Sequence, residues 1–209
     1  MIRVAVNGYG VIGRRVADAV VLQADMELVG VADVATDWRG RIAARRGFPL
    51  FAATTTAHTE MIARGFEPQG DLDALLDVAD IVVDCTPKGV DAGNKPRYEQ
   101  AGIRAIFQGG SAHELAGHSF VASANYSSAL DRRMTRVVSC NTTATVRTLF
   151  ALQQAGLLRR ARGVLVRRAT DPWESHRGGI LNTMVPEPDI PSHQGPDAKT
   201  VIPGLDVIT

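Results

Sequence analysis

The chain has 209 residues, 45% of them hydrophobic and 22% charged, with 23 Lys+Arg against 22 Asp+Glu. A net charge of +1 offers no general attraction to nucleic acid or to an anionic membrane surface, and no apolar run approaches the ~20 residues of a membrane-spanning helix. Two cysteines, Cys85 and Cys140, exclude a disulfide framework and show no metal-ligand spacing, so a reducing, cytoplasmic setting without a metal is expected.

Ile2 to Asn7 reads as a buried strand. Gly8-Tyr9-Gly10-Val11-Ile12-Gly13 follows, then a helix with Ile12, Val16, Ala17, Val20 and Val21 expected on one face, then a second strand, Met26 to Val31. Strand, G-x-G-x-x-G, helix, strand is the pattern of a dinucleotide site: Gly8 permits the tight turn, Gly10 lets the backbone approach a pyrophosphate, and Gly13 lets helix and strand pack closely. The pyrophosphate then rests on the helix N-terminus. Asp33 lies 20 residues after Gly13, just past the second strand. A carboxylate there accepts from ribose hydroxyls and repels a 2′-phosphate, which favours NAD over NADP. Asp37 is a rival for that role, and Arg39 and Arg41 could instead welcome a phosphate.

Further along, Trp38 to Arg46 reads as a helix, Leu50 to Ala53 as a short strand, and His58 to Arg64 as a helix. Asp71 is a plausible cap for a short helix. Ala79 to Asp84 is a buried strand that delivers Cys85-Thr86-Pro87-Lys88-Gly89 at its carboxyl end, the edge where open parallel sheets bind ligands. Cys85 itself reads as packing. Lys95 to Ala101 is expected as a helix with Pro96 in its first turn, followed by a strand, Ile103 to Phe107, and the pair Gly109-Gly110. Ser119 to Val121 and Thr135 to Val138 complete the strands. Residues 1–139 thus read as an α/β, doubly wound parallel Rossmann sheet that binds NAD or NADP.

The last of these strands runs into Ser139-Cys140-Asn141-Thr142-Thr143, where a helical pattern begins with Val146, Leu149, Phe150 and Leu152 expected on one face. A thiol at a helix start is pushed toward thiolate by the dipole, and the free N–H groups there can hold an oxyanion. Cys140 is therefore the candidate nucleophile. Residues 140–209 read as the first part of an α/β catalytic domain, incomplete at Thr209. They hold a strand from Ala161 to Ala169 and a proline-rich stretch carrying six of the ten prolines. Two apolar pieces, Thr200 to Ile202 and Leu205 to Ile208, look like strands without partners.

These motifs resemble the archaeal-type (class II) phosphorylating glyceraldehyde-3-phosphate dehydrogenases. The matches are V-N-G-Y-G-V-I-G-R-R-V-A-D-A-V, D-I-V-V-D-C-T-P-K-G, A-I-F-Q-G-G, R-V-V-S-C-N-T-T, V-R-R-A-T-D-P and S-H-Q-G-P-D-A-K-T-V, in family order. The resemblance implies that Cys140 attacks the aldehyde of glyceraldehyde 3-phosphate and that inorganic phosphate cleaves the thioester. It places Val11 and Ile12 at the cofactor turn, with Gly110 and Arg168 as further cofactor contacts. Ser139, Cys140 and Asn141 hold the substrate, and His193, Gln194 and Gly195 hold the substrate or its phosphate. The family has histidine where this chain has Gln194. It implies a homotetramer, and it places the general-base histidine beyond Thr209, so the chain looks like an N-terminal portion. His176 or His193 could replace that base only if the proline-rich segment folds over Cys140. Related semialdehyde and acyl-phosphate reductases share the plan, though the run from Ser192 to Val201 argues against them. A truncated dinucleotide-binding or thiol redox-sensing module is the other alternative.

Overall fold

β1 (Ile2–Asn7) alternates its side chains between two buried faces, because helices cover both sides of the sheet. The chain, a computed structural model describing residues 1–108, 110–166 and 189–209, continues with α1 (Val11–Val20), β2 (Met26–Asp33), α2 (Trp38–Arg45), β3 (Leu50–Ala52) and α3 (Thr55–Ala63). Next come α4 (Leu72–Asp77), β4 (Ile81–Asp84), α5 (Val90–Gln100), β5 (Arg104–Phe107), α6 (His113–Ala116) and β6 (Ser119–Phe120). α7 (Ala122–Ala129), broken at Asn125, and β7 (Met134–Val137) follow. The described residues divide into two compact units: Met1–Phe120 with Ser127–Val138, and Val121–Tyr126 with Ser139–Thr209.

The first unit is built on a seven-stranded sheet in the order β3-β2-β1-β4-β5-β7-β6, with every neighbouring pair parallel. This is the doubly wound α/β sheet expected from the alternation of strand and helix patterns. The strand order reverses between β1 and β4, so their carboxyl ends form the switch-point crevice of such a sheet. Val4, Val6 and Val83 pack with Val20 and Ala17 of α1 on one face. Ala5 and Val82 pack with Leu72, Leu75 and Tyr98 on the other, a period of two carried through β1 and β4.

Several local expectations are corrected. α1 buries Gly13, Ala17 and Val20, with Val16 partly buried, whereas Ile12 and Val21 flank that stripe and are 45% and 44% exposed. Asp33 is the last residue of β2 rather than past it. α3 begins at Thr55, earlier than His58, because the Thr54 side chain accepts the Ala57 amide and caps it. α5 begins at Val90, not Lys95, so Pro96 lies inside the helix instead of in its first turn. Asp71 does cap α4, accepting the Ala74 amide at 3.0 Å.

The second unit contains α8 (Cys140–Gln154), β8 (Ala161–Arg162), α9 (Gln194–Val201) and β9 (Val207–Ile208). α8 buries Thr142, Val146 and Leu149, but Leu152 is exposed, since six residues carry it about 120° round the helix from Val146. The expected strand from Ala161 to Ala169 is only two residues long within the described part, and Val164 beyond it is 91% exposed. Its last residues, 167–169, lie outside the described residues. The two terminal pieces are not unpartnered strands. Thr200 and Val201 belong to α9, and β9 pairs in parallel with β8. Val201, Ile202, Leu205 and Val207 are all buried. Among the described residues no helix is long and apolar enough to cross a membrane.

Candidate active site

In the first unit the glycine turn joins β1 to α1 at the switch point. Gly8 has φ +91°, and a Cβ there would stand 2.8 Å from the Cys85 carbonyl carbon. A Cβ on Gly13 would stand 1.9 Å from the Gly8 carbonyl oxygen, so any side chain forces helix and strand apart. Gly10 faces open space. It precedes α1 without any side-chain cap, and the first turn of α1, with Val11 and the exposed Ile12, carries no acidic residue. The first N–H groups of α1 have no intrahelical acceptors, which suits an anion. The residues present therefore fit the pyrophosphate of a dinucleotide.

Asp33 is buried. Its Oδ2 accepts the Tyr9 amide at 2.6 Å and its Oδ1 accepts the Ala35 amide at 2.8 Å. The carboxylate thus holds the glycine turn as well as standing at the end of β2, and each oxygen keeps a lone pair for a further donor. Its sequence rivals are committed to each other. Asp37 caps α2 and accepts from Arg39 Nε at 3.0 Å and from Nη2 at 2.8 Å. That hydrogen bonding from Arg39 holds the Asp37 carboxyl below its ordinary range against the opposing effect of burial. Gly110 follows β5 at φ +88°. Arg168 and His176 lie outside the described residues.

The sequence reading missed a buried cluster across the β1–β4 crevice. Asp84 accepts from the Tyr98 hydroxyl at 2.6 Å, from Asn94 Nδ2 at 2.9 Å, and from the Thr86 amide and hydroxyl at 2.8 and 2.5 Å. Asn7 Nδ2 donates to the Tyr98 hydroxyl at 2.8 Å. The available signal was a carboxylate ending an otherwise apolar strand. Beside it, Cys85 is partly buried against both β1-facing clusters. Burial first, and the Asp84 charge second, push its thiol from 9.0 up to about 12.

In the second unit Cys140 is the first residue of α8 and is exposed. Ser139 Oγ accepts the Thr142 amide at 3.2 Å, and the Ser139 carbonyl accepts the Thr143 amide at 2.7 Å. Of the four leading amides of the helix, those of Cys140 and Asn141 have no acceptor among the described residues and suit an oxyanion. Asn141 also lines a cavity of about 390 Å³ with Thr145, Thr148, Ala161 and Val207. His193 immediately precedes α9. Gln194 is buried and its Oε1 accepts from Ser192 Oγ at 2.5 Å, while the Gly195 amide donates to Thr209 Oγ1 at 2.9 Å. These two residues therefore fasten the start of α9 to Ser192 and Thr209, and α9 packs against α8. Among the described residues no group of three or more His, Cys, Asp or Glu is arranged to hold a metal ion.

A parallel sheet with a glycine turn at its switch point makes the first unit a Rossmann-class α/β fold, and the second unit opens its first helix on a cysteine. No protein-family profile matches it. It is 46% identical over 208 residues to glyceraldehyde-3-phosphate dehydrogenase of Methanosarcina mazei, taking in 99% of this chain and 62% of that protein. With glyceraldehyde-3-phosphate dehydrogenase of Archaeoglobus fulgidus it shares 48% over 211 residues, 100% of this chain and 61% of that protein. The chain is a homologue of the archaeal glyceraldehyde-3-phosphate dehydrogenases over essentially its whole length. It spans about three fifths of the length of the curated relatives it matches. Among solved structures, aspartate semialdehyde dehydrogenase II from Vibrio cholerae superposes with a TM-score of 0.53 at 13% identity, covering 100% of this chain and 66% of that one, a likeness of fold alone.

Proposed function

We propose that the chain supplies the dinucleotide site and the nucleophile of a phosphorylating glyceraldehyde-3-phosphate dehydrogenase. The observation that carries this reading is the 44–48% identity to relatives of that name, spread over 97–100% of the chain. Residues 1–139 form the cofactor domain and residues 140–209 the first part of the catalytic domain. Gly8, Gly10 and Gly13, with the amides of Val11 and Ile12, hold the pyrophosphate, and Gly110 and Arg168 add contacts. A nicotinamide held there would supply the hydride acceptor. Cys140 forms a carbon–sulfur bond to the substrate aldehyde, with the amides of Cys140 and Asn141 facing the developing oxyanion. Loss of hydride leaves a thioester on Cys140. Inorganic phosphate then attacks its carbonyl, the carbon–sulfur bond breaks, and the thiolate is released with the acyl phosphate. Ser139, Asn141 and His193 hold the substrate, and Gln194 and Gly195, bonded to Ser192 and Thr209, anchor the segment that holds the substrate or its phosphate. By resemblance the assembly is a homotetramer.

NAD is the preferred cofactor in this reading. Asp33 brings a negative charge to the end of β2, and the nearest rival cation, Arg39, is bound to Asp37. Dissociation constants of NAD and NADP test this, and tighter binding of NADP sinks it. For the reaction, reduction of NAD is followed with glyceraldehyde 3-phosphate and phosphate. Turnover that survives Cys140→Ser within a factor of a few rejects Cys140 as nucleophile, whereas a loss of at least about a thousandfold is expected.

A further inference from the structure

The Asp84 cluster lies where the glycine turn needs support. Asn7, Asp84 and Tyr98 are almost wholly buried, and they join three elements, β1, β4 and α5. A buried carboxylate contributes little net stability compared with a well-packed apolar side chain, so a cluster of this kind is better explained by geometry than by stability. Its geometry leads to the turn by two routes. Through Thr86, whose amide and hydroxyl both reach Asp84, it fixes the backbone at 85–86. That backbone is the wall against which Gly8 fits with no room for a Cβ. Through Tyr98 it holds Asn7, the residue before Gly8. Asn7 Oδ1 is buried without a partner among the described residues, so the bond to Tyr98 is what orients that side chain. The Cys85 amide closes the circuit by donating to the Asn7 carbonyl at 2.7 Å.

We propose that Asp84 and Tyr98 are positioning residues for the Gly8–Gly13 turn, setting its grip on a pyrophosphate without touching the ligand. The proposal rests on the dinucleotide reading above, which it deepens. If it holds, loss of one hydroxyl from the cluster weakens ligands that carry a pyrophosphate and spares those that do not. Tyr98→Phe and Thr86→Val each remove one hydroxyl at nearly constant volume, and Thr86→Ser restores the second.

Two measurements on the 209-residue chain test this. The first is calorimetric affinity for ADP and for adenosine. ADP binding is expected to weaken about tenfold in Tyr98→Phe and Thr86→Val, the scale of one hydrogen bond to a charged group, with adenosine unchanged and ADP affinity recovered in Thr86→Ser. Unchanged ADP binding, or equal weakening of both ligands, overturns the proposal. The second needs no ligand. The hydrogen-bonded amides of the turn, Gly8 on the Ala32 carbonyl and Tyr9 on Asp33, are expected to exchange with solvent about tenfold faster in Tyr98→Phe while those of β3 keep their rates, because opening is local. Turn amides that keep their rates also overturn it. If the unaltered chain binds neither ADP nor NAD, the cofactor reading fails, and the exchange experiment still decides the positioning role.

Discussion

Cys85 and Cys140 stand in equivalent places in the sequence pattern, each just after a parallel strand, and the structure gives them opposite chemistry. β4 ends at Asp84, whose carboxylate turns the chain back through Thr86 and leaves Cys85 packed beside Val6 and Val20. β7 ends at Val137, and Ser139 caps a 15-residue helix whose first residue is the exposed Cys140. A strand end is therefore not what makes a thiol available. The segment after it decides, by folding the sulfur inward or by starting a helix under it.

The largest expected effect is on thiol reactivity. With Cys85 shifted from 9.0 to about 12, its thiolate fraction near neutral pH is about a thousandfold below that of an ordinary thiol. Iodoacetamide at pH 8 should label Cys140 alone in the folded chain, and Cys85 only after unfolding. Peptide mapping that finds the two labelled at similar rates breaks the contrast.

Next in size is the turn that presses on the Cys85 backbone. Gly13→Ala should destabilise the fold by about 2 kcal/mol or more, because its Cβ meets a backbone carbonyl that no side-chain rotation can clear. Gly10→Ala should leave the melting temperature within a degree or two and still weaken ADP, since its Cβ enters the open space a phosphate would fill. Equal melting losses in the two variants would remove the distinction between packing and ligand approach.

Much of this was legible in the residues. The all-parallel sheet followed from short apolar runs alternating with helical patterns, and the glycine turn from its spacing. The helix start at Cys140 followed from the apolar strand before it and the apolar positions behind it. What was not legible depended on contacts distant in sequence. Asp84 bonds to Tyr98, 14 residues on, and Tyr98 to Asn7, 91 residues back, so no local window shows the cluster. The terminal pieces looked like lone strands because one forms the end of α9, begun at Gln194, and the other pairs with β8, more than 40 residues back. α5 was placed late because Pro96 suggested a first turn, whereas Gly89 and Asp91 start the helix earlier, with the Asp91 carboxylate accepting the Gly89 amide at 2.7 Å.

The smallest expected effect sharpens the contrast from the side of stability. The folded state keeps the Cys85 proton up to about 12, while the unfolded chain gives it up near 9.0. Between those values the folded state binds more protons, so the contribution of Cys85 is fully present below pH 9 and is lost as pH rises toward 12. The burial-raised phenols of Tyr9 and Tyr98 act in the same direction. Urea midpoints should therefore fall with pH above about 9, and Cys85→Ala should flatten part of that fall after its own fixed loss of packing. A Cys85→Ala slope that matches the unaltered chain from pH 8 to 11 would show that burial of that thiol carries no linkage.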